Sequence, residues 1–334
     1  MHNNDHNPIA VLGAGAWGTA LAMALARNGQ SVRLWGHRLA HVERMRQCRE
    51  NERYLPGISL PDNIHLCDSL EQSLADCQDV LVVVPSAHFR ALIKKLHHLA
   101  PAARIVWGTK GLDPDTGATL DTVVREVFGP QVALAVLTGP SFAKEVALSL
   151  PTAVTLASGN RRFSQDLIGR FHNPYFRIYP TEDVIGVELC GVVKNILAIA
   201  AGISDGLGLG ANAKSALITR GFAELGRLLA AKGGQAATLT SLAGFGDTLL
   251  TATDNQSRNR RFGLAIGQGA SIESALAEIG DVVEGYQNAR YMHALAVENK
   301  VDMPILAAVY NILYRDGLPA DALAALLARR SSAN

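Results

Sequence analysis

The chain has 334 residues, 48% of them hydrophobic, 18% charged and 6% aromatic, which suffices for about two domains with apolar cores and excludes wholesale disorder. Thirty-one Lys and Arg against thirty Asp and Glu give a net charge of +1, so the footprint of a general nucleic-acid binder is missing. Cys48, Cys67, Cys77 and Cys190 stand at no CxxC or zinc spacing, read as reduced thiols, and leave no expected metal.

The polar start, MHNNDHNP, has no basic stretch followed by an apolar one, and no segment reads as a membrane span; a cytoplasmic protein is expected. Short apolar runs then alternate with helical spacing. Strands are predicted at Ile9–Leu12, Ser31–Trp35, Asp79–Val84, Arg104–Trp107, Ala133–Leu137, Thr152–Ala157 and Phe176–Tyr179, with a helix over Trp17–Asn28. This alternation predicts a parallel, Rossmann-like doubly wound sheet over residues 1–184. From about Asp183 the pattern turns helical and rich in Ala, Leu and Gly. Helices are predicted at Val187–Ala201, Ala211–Ala231, Ser257–Gly267, Ile272–Ile279, Tyr286–Glu298, Pro304–Tyr314 and Ala320–Arg329, an all-helical domain over residues 185–334.

The first strand runs into Gly13-Ala14-Gly15-Ala16-Trp17-Gly18 and then a helix. That is G-x-G-x-x-G in the strand–turn–helix setting its mechanism needs: Gly13 for the turn, Gly15 for close approach of a pyrophosphate, Gly18 for helix packing. Gly13, Gly15, Ala16, Trp17 and Gly18 are therefore expected at a dinucleotide. The second strand ends in Leu34-Trp35-Gly36-His37-Arg38, with no acid before Glu43. An acid there would bind the ribose of NAD, whereas His37 and Arg38 suit the 2′-phosphate of NADP. The competing reading makes Arg38 a solvated helix-start residue. Val84-Pro85-Ser86 stands at the strand end where a ribose would pack, or is an ordinary turn.

Lys110 follows the strand Arg104–Trp107 between Gly108 and Gly111, at the sheet edge where ligands bind. Ser141, in Thr138-Gly139-Pro140-Ser141, either caps a helix or lies in a turn whose N–H groups meet a phosphate or a nicotinamide amide. Lys194 lies inside an otherwise apolar helix. Either it snorkels to solvent, or it lines a site where burial and a second cation lower its pKa and make it an acid–base group. Asp247, after Ala243-Gly244-Phe245-Gly246, either fixes that ammonium or caps a helix after a flexible turn. Asn255-Gln256-Ser257-Arg258-Asn259-Arg260-Arg261 suits phosphate recognition, or is a solvated basic turn.

Four stretches, GAGAWGTAL at 13–21, GPSFAKE at 139–145, VVKN at 192–195 and NQSRNRRFG at 255–263, resemble bacterial-type NAD(P)-dependent glycerol-3-phosphate dehydrogenases. The similarity runs from about residue 8 to 328, and the last two motifs are the more specific. Phe245 and Thr248 stand where the family more often has leucine, which leaves its charged set intact. The resemblance implies reversible reduction of dihydroxyacetone phosphate to sn-glycerol 3-phosphate by NADPH or NADH, with NADPH favoured, supplying glycerophospholipid synthesis, in a cytoplasmic homodimer. It implies Lys194 as the general acid–base residue and Lys110 in contact with substrate and cofactor. Gly139, Ser141, Asn195, Asp247, Thr251, Ser257, Arg258 and Asn259 would line the substrate. Trp17, His37, Arg38, Ala143, Arg258, Val282 and Glu284 would contact the cofactor. Two other readings remain at this point: a related dehydrogenase of another hydroxy acid, which the Ser257–Asn259 cluster disfavours, and a non-catalytic NADPH-binding regulator, which leaves Lys194, Lys110 and Asp247 unexplained.

Overall fold

The computed structural model describes residues 7–322, so most of the helix expected over Ala320–Arg329 lies outside the described residues. The chain forms two compact units. One holds Leu120–Val184 and everything described before Lys110; the other holds Lys110–Thr119 and the chain from Ile185 onward. The ten residues after Thr109, expected with the sheet, thus belong to the helical unit.

The first unit alternates β1 (Ile9–Leu12), α1 (Ala16–Arg27), β2 (Val32–Trp35), α2 (Leu39–Cys48), β3 (Ile64–Cys67), α3 (Leu70–Leu74), β4 (Asp79–Val82), α4 (Ser86–Leu99), β5 (Arg104–Trp107), α5 (Leu120–Phe128), β6 (Leu134–Thr138), α6 (Ala143–Ala147), β7 (Thr152–Ala157), α7 (Arg161–Phe171) and β8 (Phe176–Thr181). The sheet order is β3-β2-β1-β4-β5-β6-β7-β8. Every residue of β1 and β4 is buried, as strands covered on both faces require. Chain order reverses between β1 and β4, which pair in parallel, and ligands of doubly wound sheets bind outside that switch point. Two features depart from expectation. The strand β3, with His65 exposed at the sheet edge, is not among the expected strands. The pairing of β6 with β7 is antiparallel, so the late strands do not continue the parallel series. A parallel return needs a long crossover, and the link between them carries only the five-residue α6.

At its amino end, β4 carries a buried charge network. Asp79, fully buried, receives Arg104 Nε and NH2 at 2.6 and 2.9 Å and Arg170 Nε at 2.7 Å. Arg170, 4% exposed, also donates to Gln30 Oε1 at 2.8 Å. One carboxylate thereby ties β4, β5 and α7 together.

The second unit comprises α8 (Val184–Gly206), α9 (Gly210–Lys232), a 3₁₀ turn (Ala236–Thr240), a π-helical turn (Leu242–Gly246), α10 (Asp247–Thr253), α11 (Arg258–Gly267), α12 (Ile272–Ile279), α13 (Glu284–Glu298) and α14 (Pro304–Tyr314). By length and composition α8 would cross a membrane, but 94% of its apolar window is buried inside the folded chain. Its side chains share one core with Leu225, Phe262, Met292 and Leu306 of the surrounding helices. Glycines four apart let α8 and α11 meet backbone to backbone. A Cβ at Gly202 would lie 2.1 Å from the Arg260 carbonyl oxygen, and one at Gly263 2.1 Å from that of Ile199. This close crossing brings the Ser257–Asn259 end of α11 alongside Asn195.

Candidate active site

Lys194 sits in the middle of α8, 5% exposed. It does not snorkel. Its Nζ donates to Asp247 Oδ1 and, at 3.0 Å, to Thr251 Oγ1. The Thr251 hydroxyl in turn donates to the Asp247 carbonyl oxygen at 2.6 Å. Lys110 Nζ lies 3.1 Å from the other carboxylate oxygen, Oδ2. Two ammonium groups therefore share one carboxylate that is 1% exposed. Burial lowers the Lys194 pKa from 10.5 to about 7, against the pull of Asp247 and with the help of Lys110. Burial alone would raise the Asp247 carboxyl; the two cations outweigh it and hold it below the ordinary range.

The placement of Asp247 corrects part of the sequence reading. Residues 242–246 are not a flexible turn but one π-helical turn, capped by Ser241 Oγ at 3.3 Å from the Gly244 nitrogen. Gly246 occupies the cap position of α10, and Asp247 is its first residue, which frees the carboxylate for the lysines.

Behind the lysines runs an amide ladder. Asn259 Nδ2 donates to Asn195 Oδ1 at 3.0 Å, and Asn259 Oδ1 accepts the Gly285 N–H at 2.8 Å. The ladder joins α8, α11 and α13, so the Asn259 side chain is largely committed to structure. What α11 offers an anion is its N-terminal end, where Ser257 Oγ caps the Arg260 N–H at 3.2 Å, together with the Arg258 guanidinium. Arg258 is exposed and paired with Asp281. Glu284 opens α13, with Val282 in the turn before it. Burial pushes the Glu284 carboxyl up to about 7, opposed by Arg258 and Lys110.

The remaining expected residues belong to the first unit. Gly13 takes a φ of +127°, and a Cβ there would lie 2.1 Å from the Val83 carbonyl oxygen, so only glycine makes this turn. Gly15 caps α1 without a side chain, and a Cβ on it would meet nothing within 4 Å. Ala16, Trp17 and Gly18 form the first helical turn, and the Trp17 Nε1 donor is buried without a partner. An open, uncapped helix start with an orphaned donor beside it fits a dinucleotide pyrophosphate. His37 and Arg38 are exposed between β2 and α2, while Glu43 is engaged by Arg46 and Gln47. Ala143 begins α6. Its cap is Phe142, not Ser141, whose hydroxyl donates to the Gly139 carbonyl oxygen at 2.9 Å.

Sequence reasoning passed over two buried amides. Asn51, fully buried, donates to the Ala14 carbonyl oxygen at 3.1 Å and to Thr19 Oγ1 at 2.8 Å, bracing the glycine loop. Asn288 accepts the Leu112 N–H at 2.8 Å. Neither stands in a motif; only their burial marks them. Arg53 was also missed. Together with Arg38 and His37 it presses on His41, whose pKa is lowered by burial and then by these charges.

Comparison with known proteins identifies the family. The family pattern described as NAD-dependent glycerol-3-phosphate dehydrogenase N-terminus matches residues 8–164, and the corresponding C-terminus pattern matches 183–324. Glycerol-3-phosphate dehydrogenase (NAD(P)+) of Coxiella burnetii is 52% identical over 328 residues, 98% of each chain. The enzyme of Shewanella halifaxensis is 50% identical over 323 residues, 96% of this chain and 95% of that one. A crystal structure of the Coxiella burnetii enzyme superposes with a TM-score of 0.93, covering 97% of this chain and 99% of that one. The two family patterns together span most of the chain, and the chain belongs to the NAD(P)-dependent glycerol-3-phosphate dehydrogenase family.

Proposed function

We propose that Lys194 is the proton donor and acceptor of this oxidoreductase, which reduces dihydroxyacetone phosphate to sn-glycerol 3-phosphate with NAD(P)H and runs in reverse. The reading is carried by one observation: a buried lysine lowered to about 7, held by Asp247 and Thr251 beside a second ammonium. The bound nicotinamide supplies the hydride in reduction and takes it up in oxidation. As the carbonyl oxygen gains charge, Lys194 protonates it and Lys110 stabilises it. Asp247 holds Nζ in place and keeps its protonated form accessible despite burial. Arg258 and the start of α11 take the phosphate, whose remote binding orients the carbonyl. Gly139, Ser141, Asn195 and Ser257 complete the substrate contacts in this reading, on the strength of the family motifs they stand in. NADPH oxidation should depend on dihydroxyacetone phosphate and be negligible with unphosphorylated dihydroxyacetone. Equal rates with the two would overturn the assignment.

Arg258→Ala should raise the KM for dihydroxyacetone phosphate about ten- to a hundredfold, since a charged hydrogen bond contributes roughly 1.5–3 kcal/mol. The Arg258–Asp281 pair is exposed to solvent, where an ion pair contributes at most about 1 kcal/mol, so its loss leaves the fold intact. An unchanged KM would remove Arg258 from the phosphate site.

NADPH is the preferred cofactor in this reading. His37 and Arg38 follow β2, Arg53 adds a second guanidinium near His41, and the first acid of α2 is engaged elsewhere. Arg38→Asp should reverse the preference toward NADH, read as the ratio of kcat/KM for the two cofactors. A wild type that uses both equally would refute it. Cytoplasmic location, a homodimer and supply of glycerophospholipid synthesis belong to the same reading; a monomeric mass by light scattering at assay concentration would refute the dimer.

A further inference from the structure

We propose that Asn288 is a positioning residue that holds Lys110 against Asp247, acting through the backbone of Leu112. The inference rests on the reading of Lys110 given above. Lys110 stands on Lys110–Thr119, the ten residues that leave the sheet and pack with the helices. Two anchors fix the start of that segment. The Leu112 side chain is fully buried in the helical core, and its backbone N–H donates to Asn288 Oδ1 at 2.8 Å. Between anchor and lysine lies only Gly111, with a φ of +142°. A glycine there adds no stiffness of its own, so the place of Lys110 depends on where Leu112 is held.

Asn288 is itself 1% exposed and tightly set. Its Nδ2 donates to the Glu284 carbonyl oxygen at 2.9 Å and to the Glu284 carboxylate at 3.3 Å. One side chain on α13 therefore fixes both the Lys110 segment and the Glu284 carboxyl. Removing its oxygen leaves the Leu112 N–H buried without an acceptor, which is costly enough to shift the segment.

The shift has a chemical reading. Lys194 faces Asp247 and Thr251 from α10 and Lys110 from the segment. Glu284 faces Arg258, Lys110 and Asp281. Withdrawing Lys110 removes a cation that disfavours the Lys194 ammonium, so Lys194 should lose its proton at higher pH. Oxidation of sn-glycerol 3-phosphate needs neutral Lys194, so its rise with pH should move to more alkaline values. A purely structural role would lower the melting temperature and leave that rise in place.

The test is a double-mutant cycle on the whole enzyme, with kcat and the pH profile of sn-glycerol 3-phosphate oxidation measured for wild type, Asn288→Ala, Lys110→Met and the pair. We expect Asn288→Ala to lower kcat roughly tenfold and to move the rise by about half a pH unit or more, and to cost less than about twofold when Lys110 is already Met. A wild-type kcat for Lys110→Met would overturn the reading of Lys110 and this inference with it. An impaired Lys110→Met, with Asn288→Ala costing the same in both backgrounds and leaving the rise in place, would overturn the inference alone. Should the alanine variant fail to fold, Asn288→Ser, which places no carboxyl beside Glu284, replaces it in the cycle with the same expectations, and the same outcomes would overturn the proposal.

Discussion

Lys194→Met is expected to fold, to bind NADPH with near wild-type affinity, and to lose at least about a hundredfold in turnover, in line with the roughly 10²–10⁴ that general acid–base catalysis contributes. Methionine keeps the length and the apolar stem among the buried side chains of α8 and removes only the proton carrier. The Asp247 carboxylate is not abandoned in the variant, because Lys110 remains 3.1 Å from its other oxygen. That second cation is why folding should survive the substitution. The cofactor loop at Gly13–Gly18 belongs to the other unit and is unchanged. The wild-type pH dependence carries the same assignment. With Lys194 lowered to about 7, reduction requires its ammonium and should fall as pH rises through that value, while oxidation requires its neutral form and should rise. Turnover, NADPH affinity and melting temperature, measured side by side on the Met variant, separate the roles; retained turnover would remove Lys194 from the chemistry and leave Lys110 as the next acid.

Asp79→Asn should produce a large loss of stability. The substitution keeps the shape and removes the one negative charge between Arg104 and Arg170, at a position with no access to water. Breaking a buried pair by removing one partner costs about 3–5 kcal/mol, because the remaining charge stays desolvated. For a unit of this size that corresponds to a fall in melting temperature on the order of 10 °C. Arg104 has a second carboxylate in Asp166, so Arg170 is the group left uncompensated. The network lies at the amino end of β4 and the glycine loop follows the carboxyl end of β1, so NADPH affinity well below the melting point should be unaffected. A melting temperature within a degree or two of wild type would show that Arg170 finds enough compensation in Gln30 and the backbone oxygen of Asn7.

The doubly wound first half was legible because strands covered on both faces are short continuous apolar runs. Ile9–Leu12 and Arg104–Trp107 emerge where periodicity puts them, and Asp79–Val84 only two residues too long. The edge strand Ile64–Cys67 was passed over, although it has the same length and the same single polar residue at its second position as Val32–Trp35, which was predicted. The direction of Thr152–Ala157 was not legible, because apolar content is the same whichever way a strand runs. The charged site residues were named from motif and position, yet the alternatives left open for Lys194 and Asp247 could not be closed there.

Residue identity alone settled which side chains are chemically able to act: a lysine in an apolar helix, an acid after a glycine-rich stretch, a bare glycine loop behind a strand. Tertiary structure decided what each one does with that ability. Lys194 and Asp247 are 53 residues apart and Lys110 and Asp247 are 137 apart, and no local preference encodes such distances. They are set by the close crossing of α8 and α11 over their glycines, by the π-helical turn that leads into Asp247, and by the Lys110–Thr119 segment that packs with the helices. The physical reason is that a pKa, unlike a propensity, belongs to an environment. The Lys194 ammonium is lowered to about 7 because folding removes its water and sets one carboxylate and one further ammonium beside it.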